Sequence, residues 1–408
     1  MKANIIYSDL NPCGGGERLT LVTMQAILEM GIDIELTTLE KPNITKLENA
    51  YGKGIASVIK SIKKVNILRL LDEQSINNIM KEGYDIIINT HGDIIPYYNK
   101  SFSKKNAITY CHYPSAKFFI QSENKAYLER HLKIARASSS SNSLAMDLDQ
   151  HTTQNNNNIV DFNKKRYLEW LKDAYDNLMK YSTILTNSDY TRKAIFKTYG
   201  IDSAIILNPP VDVDTFRNSA LSLSSSDEKE DIILVVSRID PLKRIENAIM
   251  LAKLLKENNI GKGMKIVGGL DYYHYDYYSH LKKMIVDFNL VDYVTVEIDI
   301  SLDKLLSVMG KSKVYFHPRP GEHFGISIVE AMSAGLVPVV PDIGGQTEFV
   351  PLKYHFHTLE QAAQIMSSAF NIPDSERILI SNSANRFSAS NYIRGFQQVI
   401  NKLFANMS

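Results

Sequence analysis

Val314-Tyr315-Phe316, followed by Gly321-Glu322-His323-Phe324-Gly325-Ile326-Ser327-Ile328-Val329-Glu330-Ala331-Met332, with Gly335 and then Val337 to Val340 behind it, reads as strand, turn, helix, stop and strand. The run at 314–316 is apolar and suits a buried strand, and the segment after it is amphipathic until the glycine ends it. Two carboxylates, Glu322 and Glu330, are thereby set at a strand-to-helix turn, one in the loop and one in the first turns of the helix. In an open α/β sheet that turn is where ligands bind, and unpaired N–H groups at the helix start suit a phosphate. A carboxylate accepting from vicinal hydroxyls beside such amides is chemistry for a sugar joined to phosphate.

The same rhythm extends in both directions. Short β-branched runs alternate with helical patterns, which predicts parallel, doubly wound sheets. The first half offers strands at Asn4–Ser8, Asp33–Thr38, Asp85–Thr90, Ala107–His112, Thr183–Asn187 and Ala204–Leu207. The second half offers Asp231–Ser237, Met264–Val267, Tyr293–Glu297, Lys313–His317 and Val337–Pro341. Between them, Asn208-Pro209-Pro210-Val211-Asp212 is a stiff linker, because paired prolines continue neither a helix nor a central strand. The expected architecture is α/β, with two Rossmann-like doubly wound domains, 1–208 and 209–390, facing a central cleft. A last helix near 391–408, striped by Ile393, Phe396, Ile400 and Leu403, is expected to cross back onto the first domain. The Ser- and Asn-rich stretch Ala137 to Val160 and the polar insertion Leu221 to Glu230 interrupt the pattern and read as loops.

Bulk composition narrows the classes. A chain of 408 residues suits two domains, and 44% hydrophobic with 22% charged residues is ordinary for a globular protein. With 46 basic against 45 acidic residues, no global field favours nucleic acid as a partner. Two cysteines, Cys13 and Cys111, make no disulfide framework and fit a reducing compartment. Asn4-Ile5-Ile6-Tyr7 reads as a first strand rather than a signal peptide, and no apolar run matches a membrane span. A cytoplasmic protein is expected, one that can still dock on the inner face of a membrane.

Three further constellations carry chemistry. Cys13-Gly14-Gly15-Gly16-Glu17-Arg18 sits between the first strand and an amphipathic helix, where glycines let the main chain approach an anion. Its spacing is not that of the dinucleotide fingerprint, so a plain flexible turn stays open beside the binding reading. Ser237-Arg238-Ile239-Asp240-Pro241-Leu242-Lys243-Arg244 follows the apolar strand Ile232 to Val236 and places Arg238 and Lys243 at its end. A departing diphosphate needs fixed cations or a metal, although three cations in this run also suit a solvated helix start. Tyr110-Cys111-His112-Tyr113-Pro114 puts His112 at a strand's carboxyl edge, and Thr90-His91-Gly92-Asp93 puts His91 at another; single histidines are often structural. The aromatic run Asp271 to Tyr278 reads as a surface turn, and Lys60, Lys63 and Lys64 with Ile59, Ile62 and Val65 as a solvated face. Asp147 with Asp149, and Asp212 with Asp214, lie away from strand ends, and no metal site is expected.

Taken together, Gly14-Gly15-Gly16, Arg238 with Lys243, and Glu322 with Glu330 resemble the signature of the GT4 family of retaining glycosyltransferases, which have the GT-B fold. Gly-Gly-Gly-Glu-Arg at 14–18, His-Tyr-Pro at 112–114 and Glu-His-Phe-Gly-Ile at 322–326 are also similar to the mannosyltransferases that extend lipid-linked oligosaccharides in the dolichol pathway, and to bacterial and archaeal relatives. The resemblance implies a metal-independent enzyme moving a hexose, mannose from GDP-mannose, to a hydroxyl of a glycan or glycolipid, with no cofactor besides the nucleotide sugar. Arg238 and Lys243 would hold the donor diphosphate. Glu322 and His323, with amides around Phe324, Gly325 and Ile326, would meet the sugar and phosphate, and Glu330 the ribose. His112 would lie beside the reacting sugar, and the loop at Gly15 and Gly16 would close over the diphosphate. The dolichol enzymes usually carry an N-terminal membrane helix where this sequence opens on a strand, and Cys13 stands where the similar proteins tend to have glycine. A UDP-sugar donor, a nicotinamide oxidoreductase and a non-catalytic sugar-nucleotide-binding subunit are the competing readings; the glycine spacing and the paired glutamates disfavour the oxidoreductase.

Overall fold

The structure, a computed structural model, describes residues 1–64, 83–92, 106–121, 175–221 and 229–405, with positions 169, 172 and 173. The Ser- and Asn-rich stretch at 137–160, Asp147 and Asp149 with it, lies outside the described residues, as do 222–228 of the polar insertion. The chain divides into two compact units. The first holds Met1–Glu48, Gly52–Leu207 and Ile393–Ser408; the second holds Asn49–Tyr51 and Asn208–Tyr392.

Among the described residues the first unit carries strands β1 (Lys2–Ile6), β2 (Asp33–Thr38), β3 (Ile62–Lys64), β4 (Ile86–Asn89), β5 (Ala107–Cys111), β6 (Thr183–Thr186) and β7 (Ile205–Ile206). They form one parallel sheet in the order β3-β2-β1-β4-β5-β6-β7. The second unit carries β8 (Glu230–Val236), β9 (Gly263–Gly268), β10 (Val294–Ile298), β11 (Ser312–Phe316), β12 (Val337–Pro341) and β13 (His355–Phe356). These are parallel as well, in the order β10-β9-β8-β11-β12-β13. In both sheets the strand order reverses beside the first strand, between β1 and β4 and between β8 and β11. That reversal opens a crevice at the carboxyl ends of the strands.

The sequences explain the placement. Ile233, Leu234 and Val235 of β8 and Val314, Tyr315 and Phe316 of β11 are fully buried, as expected of central strands covered by helices on both faces. Helix α1 (Gly15–Glu29) starts directly on the glycines, so Gly15 and Gly16 form its first turn and not a loop. Glu17 turns back to accept from the Gly14 amide at 2.7 Å and from the Tyr7 hydroxyl at 2.9 Å. A Cβ on Gly16 would come within 2.6 Å of that hydroxyl, which accounts for glycine there by packing alone. Helix α2 (Asp189–Tyr199) follows β6; helices α3 (Ile245–Glu257), α4 (Ile326–Ser333) and α5 (Leu359–Ala369) pack in the second unit. The last helix, α6 (Ala389–Ala405), starts in the second unit, and its residues from Ile393 belong with the first. There Phe396 and Ile400 are buried and Gln397 Nε2 donates to the Ala26 carbonyl at 3.1 Å.

Two strands escape the sequence reading. Ile62–Lys64, expected as part of a solvated basic face, is the edge strand β3, and His355–Phe356 is the edge strand β13. The aromatic run also differs from a simple surface turn. Tyr272–His274 form a short 3-10 turn with Tyr272 and Tyr273 exposed, while Tyr277 and Tyr278 lie on a helix, Tyr275–Asp287, and pack against the core. Asp212 accepts from the Thr215 amide at 3.3 Å at the start of helix Val213–Leu221. Among the described residues no helix is long and apolar enough to cross a membrane.

One close crossing fixes the second crevice. A Cβ on Gly268, at the end of β9, would lie 1.7 Å from the Ser237 carbonyl oxygen. The chain after β8 rests on this glycine, with Ile239 N–H donating to the Gly269 carbonyl at 2.8 Å. Gly268→Ala is therefore expected to cost about 3 kcal/mol of stability by overpacking backbone against backbone. A urea melt superimposable on that of the parent chain would show that the crossing has room to spare.

Candidate active site

In the second unit the polar residues gather where β8 and β11 part. After β8, Asp240 accepts from the Leu242 amide at 2.8 Å and starts the short 3-10 turn Pro241–Lys243. The turn ends with Arg244 in the left-handed region, φ 54°, from which α3 departs. This bend delivers Lys243 to Glu322: the ammonium lies 3.0 Å from Oε2. Arg319 Nη1 and His317 Nε2 each lie 3.5 Å from that same oxygen, and the His323 amide donates to Oε1 at 3.1 Å. Glu322 is 8% exposed, so these groups replace most of its hydration. Burial alone would raise its pKa. The His317 ring and the charge of Lys243 outweigh burial and hold the carboxyl well below its ordinary range.

The main chain of Glu322 is held as tightly. Its carbonyl accepts from the Gly345 amide at 2.7 Å, and it bridges to Gly344 across the end of β12. Gly344 adopts φ 132°, and a Cβ there would meet the Glu322 oxygen at 2.6 Å. Beyond Glu322 the chain turns inward at Phe324, buried against Phe349 and Phe387 with ring centroids 5.2 Å away in each case. Phe324 thus anchors the turn and can offer a ligand its amide, not its ring. Gly325, left-handed at φ 99°, then starts α4, whose first N–H groups lack intrahelical acceptors by geometry. Buried Tyr315 braces this turn: its hydroxyl lies 2.8 Å from Ser327 Oγ and 3.3 Å from the Val236 carbonyl, tying α4 to β8. Burial, with the nearby charges of Glu330 and Glu322, pushes that hydroxyl's pKa well up, so it stays protonated.

The sequence-predicted residues are therefore placed unevenly. Lys243 and Glu322 meet directly, with His323, Phe324, Gly325 and Ile326 next in the chain. Glu330 lies about one turn into α4 and is partly exposed. Arg238 sits in the loop after β8 with its side chain 66% exposed and 3.9 Å from Asp240, not in the Glu322 cluster. Sequence reasoning missed His317, Arg319 and the Gly344-Gly345 support. A cation between two prolines at Pro318-Arg319-Pro320, and paired glycines just past a strand, are the local signals that mark them.

In the first unit His112 follows β5, partly buried rather than open, with Nε2 2.9 Å from the Thr90 carbonyl. A carbonyl only accepts, so Nε2 carries the proton and Nδ1 the lone pair. Burial lowers the pKa of His112, which keeps the ring neutral and makes Nδ1 an acceptor for a hydroxyl. His91, past β4, has Nδ1 3.2 Å from Ser8 Oγ and meets the Tyr7 ring edge-on at 4.9 Å. Burial, helped by neighbouring His112, pushes its pKa down to about 4.

Two parallel doubly wound units, with a polar cluster at the strand reversal, define the GT-B class of α/β protein. Residues 222–384 match the family of glycosyl transferases group 1. The chain is 28% identical over 222 residues to the GDP-Man:Man(3)GlcNAc(2)-PP-Dol alpha-1,2-mannosyltransferase of Dictyostelium discoideum, covering 51% of this chain and 44% of that one. It is 30% identical over 163 residues to the O-antigen chain mannosyltransferase RfbU of Salmonella typhimurium, covering 39% and 42%. The matches thus span less than half the length of these relatives. Among solved structures, a glycosyltransferase from Rickettsia africae aligns with TM-score 0.65 over 99% of both chains at 14% identity. Anabaena Alr3699/HepE in complex with UDP aligns with TM-score 0.65 over 98% of this chain and 100% of that one, also at 14% identity. At that identity the likeness speaks for the fold. The family match thus lies within residues 222–384, in the second unit, and the solved structures speak for the GT-B fold of the chain.

The desolvated histidines give a signed pH dependence. A His whose folded pKa is depressed adds stability above its unfolded value near 6.5, and that stability is lost as pH falls toward the folded value. For His91 the window runs from about 6.5 down to about 4, with a loss on the order of 3 kcal/mol across it. His112 and His317, both lowered by burial, act in the same direction. Thermal melts at pH 7 and pH 5 are expected to show the loss, and His91→Gln to reduce it. A variant with an unreduced slope would remove His91 as its main source.

Proposed function

We propose that the chain transfers a hexose, mannose from GDP-mannose, to a hydroxyl of a glycan or lipid-linked glycan, with retention at the transferred carbon and without a metal. The observation that carries this reading is the Lys243–Glu322 contact at the β8/β11 reversal, with Arg319 beside it and the start of α4 just beyond. A departing nucleoside diphosphate gathers negative charge in the transition state. Fixed cations and helix N–H groups stabilise that charge more than they stabilise the intact donor, which is what lowers a barrier. Lys243 and Arg319 are set for the phosphates, and Arg238, on an exposed stem in the same loop, can close on them. Glu322 stays ionised and can accept from the hexose hydroxyls once a phosphate competes for Lys243. Glu330, on α4, suits the ribose hydroxyls. Within the first unit, His112 Nδ1 is a neutral acceptor of the kind a sugar hydroxyl can use. The mannosyltransferase names of the relatives support mannose, and a lipid-linked acceptor would bring the reaction to a membrane surface.

Lys243→Ala is expected to leave a folded protein with transfer reduced about a hundredfold to a thousandfold, the range for losing one preorganised charge-stabilising group. Turnover within a fewfold of the parent would discard the role given to Lys243. Calorimetry with GDP-mannose, UDP-glucose and UDP-N-acetylglucosamine side by side tests the donor, with GDP-mannose expected to bind most tightly. A UDP-sugar winning that comparison would replace the donor but keep the reaction class. Transfer is expected to persist in excess EDTA; abolition that added divalent metal reverses would overturn metal independence.

A further inference from the structure

We propose that Tyr277 and Asn247, which do not belong to the Glu322 cluster, are positioning residues that set Lys243 for the donor diphosphate. The inference rests on the function proposed above. Lys243 is followed by Arg244 in the left-handed region, a conformation that residues with a Cβ avoid. Helix α3 begins at the next residue, and the N-cap Arg244 supplies no side-chain hydrogen bond to its open end. The missing cap comes from another element. Tyr277, on helix Tyr275–Asp287, accepts from the Ile245 amide at 3.0 Å and donates to Glu246 Oε2. Arg244 Nη1 pairs with Glu246 Oε1 at 3.3 Å, so one carboxylate joins the strained residue to the tyrosine. Burial first, and the Glu246 hydrogen bond second, push the Tyr277 hydroxyl above its ordinary pKa, and it remains a donor.

The same helical turn is held from a second side. Asn247 Nδ2 donates to the Pro318 carbonyl at 3.0 Å. Pro318 stands between His317 and Arg319, both of which reach Glu322. Ile245–Asn247 is thus pinned to the helix of Tyr277 and to the loop that carries the carboxylate. Freed from either hold, Arg244 can relax toward ordinary backbone angles, and Lys243, one residue away, moves with it. A displacement of this kind weakens a charge contact without unfolding the unit.

The test is a double-mutant cycle on the full chain, read by calorimetry with GDP and with UDP and by thermal melting. Tyr277→Phe removes one hydroxyl. It is expected to weaken binding of the preferred diphosphate about fivefold to tenfold, the scale of one lost hydrogen bond to a critical group, and Asn247→Ala to act alike. In a Lys243→Gln background either change is expected to matter less than about twofold, since nothing is left to position. Equal losses in both backgrounds, or a lowered melting temperature with unchanged affinity, would make these residues structural only and overturn the proposal. Failure of the parent chain to bind either diphosphate would overturn the functional reading, and this proposal with it.

Discussion

A buried carboxylate that must stay ionised governs the second unit. Glu322 is nearly sealed from water, and an isolated charge in such a place would be costly enough to neutralise itself. It remains charged because Lys243, Arg319 and His317 converge on one of its oxygens and a main-chain amide takes the other. Each partner makes its own demand on the fold. Lys243 requires the left-handed bend at Arg244, Arg319 and His317 require the loop past β11, and the carbonyl of Glu322 requires Gly344 and Gly345. The two strands that supply cation and carboxylate are far apart in sequence and become neighbours only through the order β9-β8-β11-β12.

At the two ends of the second sheet, the amino-end helix termini and the start of α4 are treated in opposite ways. At the amino end Lys229 Nζ donates to the carbonyls of Gly310, Ser312 and Ala334 at 2.9–3.1 Å. Arg377 donates to those of Lys313 and Ala369 at 2.8 and 3.0 Å. Cations at the carbonyl ends of helices complement both the unpaired acceptors and the helix dipole. Burial is the cost for Lys229, whose pKa falls to about 7. At the carboxyl end the start of α4 has only a glycine at its cap and no side chain turned back on it. Cations thus close helix ends at the amino side, while the first amides of α4 have no side-chain cap beside the charged residues.

How much of this was legible depends on whether the cause was local. The fully buried runs of β8 and β11 declare themselves because a strand covered on both faces has no polar alternation to confuse it. Glu322 and Lys243 stand out because a charge just past such a run has few structural reasons to be there. Edge strands β3 and β13 are two or three residues long, and their pairing comes from neighbours rather than from any periodicity of their own. Gly15 and Gly16 invited a loop reading, whereas the glycine at 16 answers to the Tyr7 hydroxyl, a contact no local pattern reports. The paired glycines at 344–345 mark a turn past β12, but what makes glycine necessary at 344 is the closeness of Glu322 across the sheet end, which the local pattern does not report.

The turn from Glu322 to Gly325 divides the work of holding a site between packing and ion pairing. Within four residues the chain sends a carboxylate toward cations, an aromatic ring into the core, and then bends through a left-handed glycine into α4. The ring of Phe324, wedged among Phe349 and Phe387, fixes the depth of the turn by packing, which does not depend on charge state. Electrostatics then needs only to orient a side chain whose backbone is already held. This division matters for catalysis, because donors that must reorganise as charge develops give back part of what they stabilise. A frame held by packing stays in place when the ion pairs above it rearrange.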